Sequence, residues 1–385
     1  MEKIIVSGKK ELSGEIEVQG SKNALLPILA ACVVAKGLSV IHNCPCLTDV
    51  EAAVRILRHI GCKVKRIKND LYIDSTNITD YNIPQNLMRE MRSSIVFLGA
   101  LLSRMKKSRM TSPGGCEIGL RPIDLHLSSL EALGVKTEEK YGDIICTAEK
   151  GIKPTVISLS FPSVGATENI ILACANAKGR TVILNAAREP EIVDLAQFLR
   201  RCGAKIKGEG TGLIVIEGVK ELYGCEYSIM PDRIAAATYL CCGAITRGEL
   251  ILTKADFRSA EPFLSVLEQM GCSIYSFGED SIYLNARRKL KAPPTVRTAV
   301  HPGFPTDAQP MLMALCSAVK GTTIFVETIF ENRYRHAGEL TRLGARINVE
   351  GRVAVVEGTE RLSGAELMAT DLRGGAAMVV AGLYA

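Results

Sequence analysis

The sequence predicts an α/β repeat protein folded as two domains. Three observations carry this. First, a helix-like run ending in an aliphatic residue and a glycine, followed by a short strand, recurs at Gly61, Gly134, Gly203, Gly271 and Gly344. These glycines lie 73, 69, 68 and 73 residues apart. Glycine there is the usual C-terminal cap of a helix. Second, six runs rich in Ala, Leu, Ile, Val and Met, each opened by polar or charged residues, interleave with those caps. Third, six copies of a unit of about 70 residues are too large for one core and divide as three plus three.

The elements follow in order. Met1-Glu2-Lys3-Ile4-Ile5-Val6 opens a strand-like segment, Glu2–Val18, that precedes the first copy. By counting, it completes the second domain. The six apolar runs are Ser21-Lys22-Asn23 to Gly37, Met91-Arg92-Ser93-Ser94 to Ser103, and Ser163-Val164-Gly165-Ala166-Thr167 to Gly179 in the first half. Those of the second half are Asp232-Arg233 to Gly248, Thr306-Asp307 to Gly321, and Asp371-Leu372-Arg373 to the chain end. They are apolar nearly all round, which predicts buried helices. Four of them lead through Gly into strands at Leu38–Ile41, Thr181–Leu184, Leu250–Leu252 and Thr322–Phe325. The break near Tyr227–Met230 gives one domain of residues 22–229 and a second of residues 1–21 plus 230–385.

Composition bounds the function. Apolar content of 47% and charged content of 23% are those of a soluble globular protein. The net charge is +6, with scattered basic residues. The densest stretch, Arg104-Met105-Lys106-Lys107-Ser108-Arg109, has no interleaved aromatics and reads as a solvated helix end, so nucleic acid is not an expected partner. A mild positive balance suits a small anionic substrate. No signal peptide opens the chain, and no apolar run reaches the ~18 residues of a membrane span. The thirteen cysteines have no disulfide spacing, which points to a reducing, cytoplasmic setting. Cys44-Pro45-Cys46 lacks partners at zinc spacing. No phosphate loop of the Gly-x-x-x-x-Gly-Lys type is present.

Two features carry chemistry. The stretch from Ser112 to Leu125 sets Cys116 behind Pro113-Gly114-Gly115, with Gly119 as a second hinge and Arg121 before Pro122. It reads as a mobile lid carrying a thiol and a cation onto an anionic substrate. The alternative is a long hairpin with a chance cysteine. The second feature is the set of helix starts, with Lys22, Asn23, Arg92, Ser163, Asp307 and Arg373. Several buried helices ending at a common cleft would make an anion site. Ordinary capping explains Ser163 and Asp307. It does not explain Lys22, Arg92 and Arg373, because the macrodipole disfavours a cation at a helix N-terminus.

These residues resemble the enolpyruvyl transferases, from Gly8 to the last residue. The markers are Gly20-Ser21-Lys22-Asn23-Ala24, Met91-Arg92-Ser93-Ser94, Gly114-Gly115-Cys116, Arg121-Pro122-Ile123-Asp124-Leu125-His126, Pro162-Ser163-Val164-Gly165-Ala166-Thr167, His301-Pro302-Gly303-Phe304-Pro305-Thr306-Asp307, Phe330-Glu331-Asn332-Arg333 and Ala369-Thr370-Asp371-Leu372-Arg373. The cysteine lid separates the chain from the shikimate-pathway sister enzyme. The resemblance implies two inside-out α/β barrel domains, each of three βαβαββ units with buried helices. It implies transfer of the enolpyruvyl group of phosphoenolpyruvate to the 3′-hydroxyl of UDP-N-acetylglucosamine with release of phosphate, the first committed step of peptidoglycan synthesis. Cys116 is then the acid at C3 of phosphoenolpyruvate and the site of attack by fosfomycin. Asp307 is the base. Lys22 and Arg121 hold the phosphate, with Arg333 and Arg373 adding positive charge. Asn23 and Arg92 position the substrates. Arg121, Pro122, Ile123, Asp124, Leu125, Ser163, Val164 and Ile329 match contacts to the nucleotide sugar. No metal or organic cofactor is implied.

The sixth copy departs from the pattern. After Asp371-Leu372-Arg373 the sequence runs to Ala385, where the resemblance implies a further strand, helix and strand with another phosphate-binding arginine. A truncated last repeat and weakened turnover are the expectation. The second reading of function is a non-catalytic relative that binds UDP-N-acetylglucosamine without turnover.

Overall fold

A computed structural model of the chain describes residues 3–111, 123–278, 280–369 and 371–385, with the backbone alone of Arg92. Among the described residues are five four-stranded sheets, and all five share one strand order. A short edge strand runs parallel to the next, and two further strands follow antiparallel. The first sheet is ordered Glu226–Ser228, Leu38–His42, Asp70–Asp74, Lys63–Ile67. The second is Asn82–Ile83, Lys107–Thr111, Asp143–Thr147, Lys136–Lys140. The third is Val156–Ser158, Gly179–Leu184, Leu213–Gly218, Lys205–Lys207. The fourth is Ser13–Glu17, Glu249–Thr253, Ser281–Asn285, Ser273–Ser276. The fifth is Thr295–Arg297, Thr322–Val326, Val353–Glu357, Arg346–Glu350.

In chain order the repeat is strand, buried helix, strand, outer helix, hairpin. The first and fourth sheets take their edge strands from elsewhere in the chain. Glu226–Ser228 returns to pair with Leu38–His42, and Ser13–Glu17 pairs with Glu249–Thr253.

The chain divides into two compact units. Of the described residues, one contains 19–111 and 123–230, with the first three sheets. Its inner helices are α1 (Lys22–Val34), α2 (Phe97–Met105) and α3 (Val164–Cys174). The three pack on one another. In α1 every residue from Ala24 to Val34 is buried, so the helix must be covered on all sides. Outer helices differ. Thr48–His59 buries one face, with Asp49 and Glu51 in its first turn and Arg58 and His59 in its last, which suits the helix dipole. The other unit contains the described residues of 3–18 and 231–385. Its inner helices α4 (Arg233–Ile245), α5 (Gln309–Ser317) and α6 (Leu372–Gly382) likewise pack together. The sheets alternate buried and exposed residues, as in Lys107–Thr111, so one face lies on the core.

The repeat glycines do what the spacing predicts. Gly61, Gly134, Gly203, Gly271 and Gly344 all have positive φ, from 80° to 110°. Three expectations need correction. The sheets are open, and no closed barrel forms among the described residues. The second apolar run is not one α-helix: Arg92–Val96 is a 3-10 turn that hands over to α2 at Phe97. And the cap position of α5 is held by Ala308, not Asp307. No helix among the described residues is long and apolar enough to cross a membrane.

One side chain ties the returning edge strand to its sheet. His42 Nδ1 lies 3.0 Å from Asp70 Oδ1, and Nε2 lies 2.8 Å from Glu226 Oε1. The bond to Glu226, then that to Asp70, raises the imidazole above its ordinary value. The raised folded value gives a clear sign. The contribution is full below the unfolded value and is lost as pH rises through the folded one. His42→Gln should therefore lower the thermal midpoint more at about pH 5.5 than at about pH 8.5. The partners are solvent-accessible, so the difference should not exceed about 1 kcal/mol. Equal shifts at both pH values would remove this latch.

Candidate active site

In the unit built on α4, α5 and α6, three of the expected site side chains meet. Asp307 lies in the turn before α5. Its Oδ1 accepts from Arg333 Nη2 at 2.9 Å, and its Oδ2 accepts from Arg373 Nη2 at 3.2 Å. Arg333 sits in the turn before the outer helix Arg335–Arg342, and its side chain is only 2% exposed. Its guanidinium also donates to the Thr306 carbonyl from Nε and Nη2, at 3.2 and 3.0 Å, and lies 5.8 Å from the Phe330 ring centroid. Such burial is tolerable for a cation only with this many partners. Arg373 lies in the first turn of α6, where Asp371 Oδ1 caps the backbone N–H groups of Arg373 and Gly374. The cation that the dipole disfavours is thus offset by two carboxylates, one at the cap and one at Asp307.

Ile329 is positioned by a residue that the motif reading did not single out. Glu327 is buried, and its Oε1 accepts from the N–H groups of Ile329 and Phe330, at 2.8 and 3.1 Å. Its Oε2 accepts from Thr306 Oγ1 at 2.9 Å. One carboxylate thereby joins the loop of Ile329 to the turn of Asp307.

In the unit built on α1, α2 and α3, Lys22 opens α1 behind the cap Ser21, whose Oγ accepts from Ala24 N–H. Lys22 Nζ lies 2.8 Å from Asp49 Oδ2, in the first turn of Thr48–His59. Asn23 beside it is half-buried. Ser163 caps α3 through Ala166 N–H, and Val164 is the first helical residue. Ile123 stands at the start of the helix Asp124–Ala132, with Asp124 exposed and Leu125 packed on the core. His126 follows, buried, with its Nδ1 2.7 Å from Asn169 Nδ2. Burial lowers the imidazole to about 4, although the Asp124 carboxylate acts the other way. Cys116, Arg121 and Pro122 lie outside the described residues.

Each unit therefore brings together part of the expected set. Asp307, Arg333 and Arg373 form one cluster, and Arg92, Ile123–Leu125 and Ser163–Val164 occupy helix starts of the other unit. Asp49, Glu327 and Asn169 escape sequence reasoning because their partners are distant in the chain. Asp49 is 27 residues from Lys22, and Asn169 is 43 from His126.

Comparisons place these observations among known proteins. The family model described as EPSP synthase (3-phosphoshikimate 1-carboxyvinyltransferase) matches residues 6–385. UDP-N-acetylglucosamine 1-carboxyvinyltransferase 2 of Caldanaerobacter subterraneus is 52% identical over 385 residues, covering 100% of this chain and 92% of that relative. UDP-N-acetylglucosamine 1-carboxyvinyltransferase 1 of Staphylococcus aureus is 44% identical over 388 residues, again covering 100% and 92%. Among solved structures, the enolpyruvyl transferase NikO from Streptomyces tendae aligns with a TM-score of 0.87 at 26% identity, covering 98% of this chain and 90% of that one. EPSP synthase from Acinetobacter baumannii aligns at 0.75 with 20% identity, covering 98% and 91%, and speaks to the fold alone.

The Asp307 cluster predicts an unequal pair of mutants. Arg333→Ala removes a buried guanidinium and leaves the Thr306 carbonyl and Asp307 without that donor. It should lower the unfolding free energy by about 3–5 kcal/mol. Arg373→Ala removes a more exposed cation and should lower it by about 1–3 kcal/mol. Urea denaturation of the two variants gives the order; the reverse order would show that Arg333 is not the structural member.

Proposed function

Because the chain belongs to the EPSP synthase family, we propose that it transfers the enolpyruvyl group of phosphoenolpyruvate to the 3′-hydroxyl of UDP-N-acetylglucosamine, releasing phosphate, in the first committed step of peptidoglycan synthesis. The observation that carries this reading is the match of the whole chain to transferases of that name, at 44–52% identity. Nothing in that match favours a relative that binds without turnover. The described cysteines are free thiols, which supports a reducing cytoplasm as the setting.

The chemistry assigns the roles. The sugar oxygen forms a bond to C2 of phosphoenolpyruvate while the C2–C3 double bond takes up a proton at C3. The hydroxyl proton passes to a base. The resulting tetrahedral adduct then loses a proton from C3 and phosphate from C2, which restores the double bond as a vinyl ether. Cys116 is the proton donor to C3, and Asp307 accepts the hydroxyl proton. Lys22 and Arg121 hold the phosphate. Arg333 and Arg373 add positive charge beside the phosphoenolpyruvate, and Arg373 exchanges part of its pairing with Asp307 for the substrate. This exchange frees a carboxylate oxygen as the anion arrives. Asn23 and Arg92 position the two substrates. Arg121, Pro122, Ile123, Asp124, Leu125, Ser163, Val164 and Ile329 contact the nucleotide sugar. Fosfomycin, an epoxide, is opened by the Cys116 thiolate to give a thioether.

Phosphate release from phosphoenolpyruvate, with and without UDP-N-acetylglucosamine, tests the reading. The wild type should release phosphate only with the sugar. Cys116→Ala and Asp307→Asn should each slow release by at least about 100-fold. Mass spectrometry after fosfomycin should find one adduct, on Cys116. A folded wild-type protein that binds the sugar and releases no phosphate would overturn the assignment in favour of binding alone.

A further inference from the structure

We propose that Asn169 is a positioning residue for nucleotide-sugar binding, holding three helix starts of one unit in register through its single side-chain amide. The proposal rests on the functional reading above, in which Ile123–Leu125 and Ser163–Val164 contact that substrate and Arg92 helps position both substrates. Asn169 itself lies on α3, the helix that Ser163 and Val164 open. It is fully buried. Its Oδ1 accepts from Gly99 N–H at 2.7 Å, and its Nδ2 donates to the Ile95 carbonyl at 3.0 Å. An uninterrupted α-helix would pair those two backbone groups with each other, since they are four residues apart. The carboxamide stands in for that rung of the ladder, where the 3-10 turn Arg92–Val96 hands over to α2. The amide thus sets the geometry of the turn that Arg92 opens.

The same Nδ2 reaches His126 Nδ1 at 2.7 Å, one residue beyond Leu125. The network fixes the orientation of the amide: only its oxygen suits Gly99 N–H, and only its nitrogen suits the Ile95 carbonyl. His126 must then accept at Nδ1 and carry its proton on Nε2. Burial, which holds the imidazole neutral, agrees with this tautomer.

The surroundings leave room for nothing else. A Cβ at Gly99 would lie 2.3 Å from the Asn169 carbonyl oxygen and 2.8 Å from its Oδ1. A Cβ at Gly165, next to Val164, would lie 2.9 Å from His126 Cε1. Two glycines therefore admit the amide and the imidazole between the helices. A structural role alone would ask only that the buried amide be satisfied. Here its three bonds run from the helix that Ser163 and Val164 open to the turn that Arg92 opens and to the residue after Leu125.

The test separates substrates. Asn169→Leu keeps the volume and removes all three bonds. It should raise KM for UDP-N-acetylglucosamine by roughly tenfold or more, because small displacements at a binding site are costly. KM for phosphoenolpyruvate, which of these segments only the turn of Arg92 helps position, should rise by clearly less. His126→Phe keeps the ring against Gly165 and removes one bond; a smaller rise in the same KM is expected. Ile170→Ala, the neighbouring buried residue on α3, should lower the thermal midpoint and leave both KM values alone. A folded Asn169→Leu with an unchanged sugar KM would overturn the proposal. So would equal rises in both KM values, or a rise in Ile170→Ala matching that in Asn169→Leu. If Asn169→Leu does not fold, His126→Phe decides alone, and an unchanged sugar KM overturns the proposal. A wild type that fails to bind the sugar sinks the functional reading instead.

Discussion

The structure depends on helices that have no polar face. From Ala24 to Val34, α1 has no residue suited to water, and α3 is buried from Ala166 to Cys174, its Thr167, Glu168 and Asn169 included. Such helices must be enclosed, and the hydrophobic effect places them inside while the sheets and outer helices cover them. The repeat supplies the covering, because every described sheet presents one buried and one exposed face. The order of strands is the same in all five, so the same solution to the same burial problem is used each time.

An enclosed helix makes every internal polar group consequential. Asn169, Gln309 and Ser317 are buried on inner helices, and each polar group must find a partner or destabilise the fold. Asn169 is the case where that requirement and the proposed site coincide. Its amide enters the backbone ladder between Ile95 and Gly99 and also meets His126. The same logic governs the cations at helix starts. Lys22 and Arg373 oppose the helix dipole, and each has a carboxylate at hand, Asp49 and Asp307 respectively. A cation held by a protein carboxylate is already stripped of part of its water. It can exchange that partner for a substrate anion at lower cost than a fully solvated one.

Much of this was legible in the chain. The spacing of Gly61, Gly134, Gly203, Gly271 and Gly344 marked helix ends, because only glycine enters the left-handed region without strain, and all five do so. The apolar runs marked the buried helices. Asp307, Arg333 and Arg373 were singled out together by the resemblance, and their side chains meet. The misreadings have physical causes. Asp before an apolar run is a common cap, but at Asp307 two guanidiniums claim the carboxylate. The run from Met91 reads as one helix because periodicity does not register an amide inserted from another helix.

The sequence by itself determined the repeat, the buried character of its helices, the places where they end and the residue types of the candidate site. Each of these is local: a glycine, an apolar run or a motif of a few residues expresses its physics within one or two turns of chain. Tertiary structure alone decided the pairings. Lys22 with Asp49, Glu327 with Thr306, His42 with Glu226, and Asn169 with Ile95, Gly99 and His126 join residues from 21 to 184 positions apart. A hydrogen bond or ion pair over such separations depends on where two elements are set by the core between them. No composition or spacing near either partner records it.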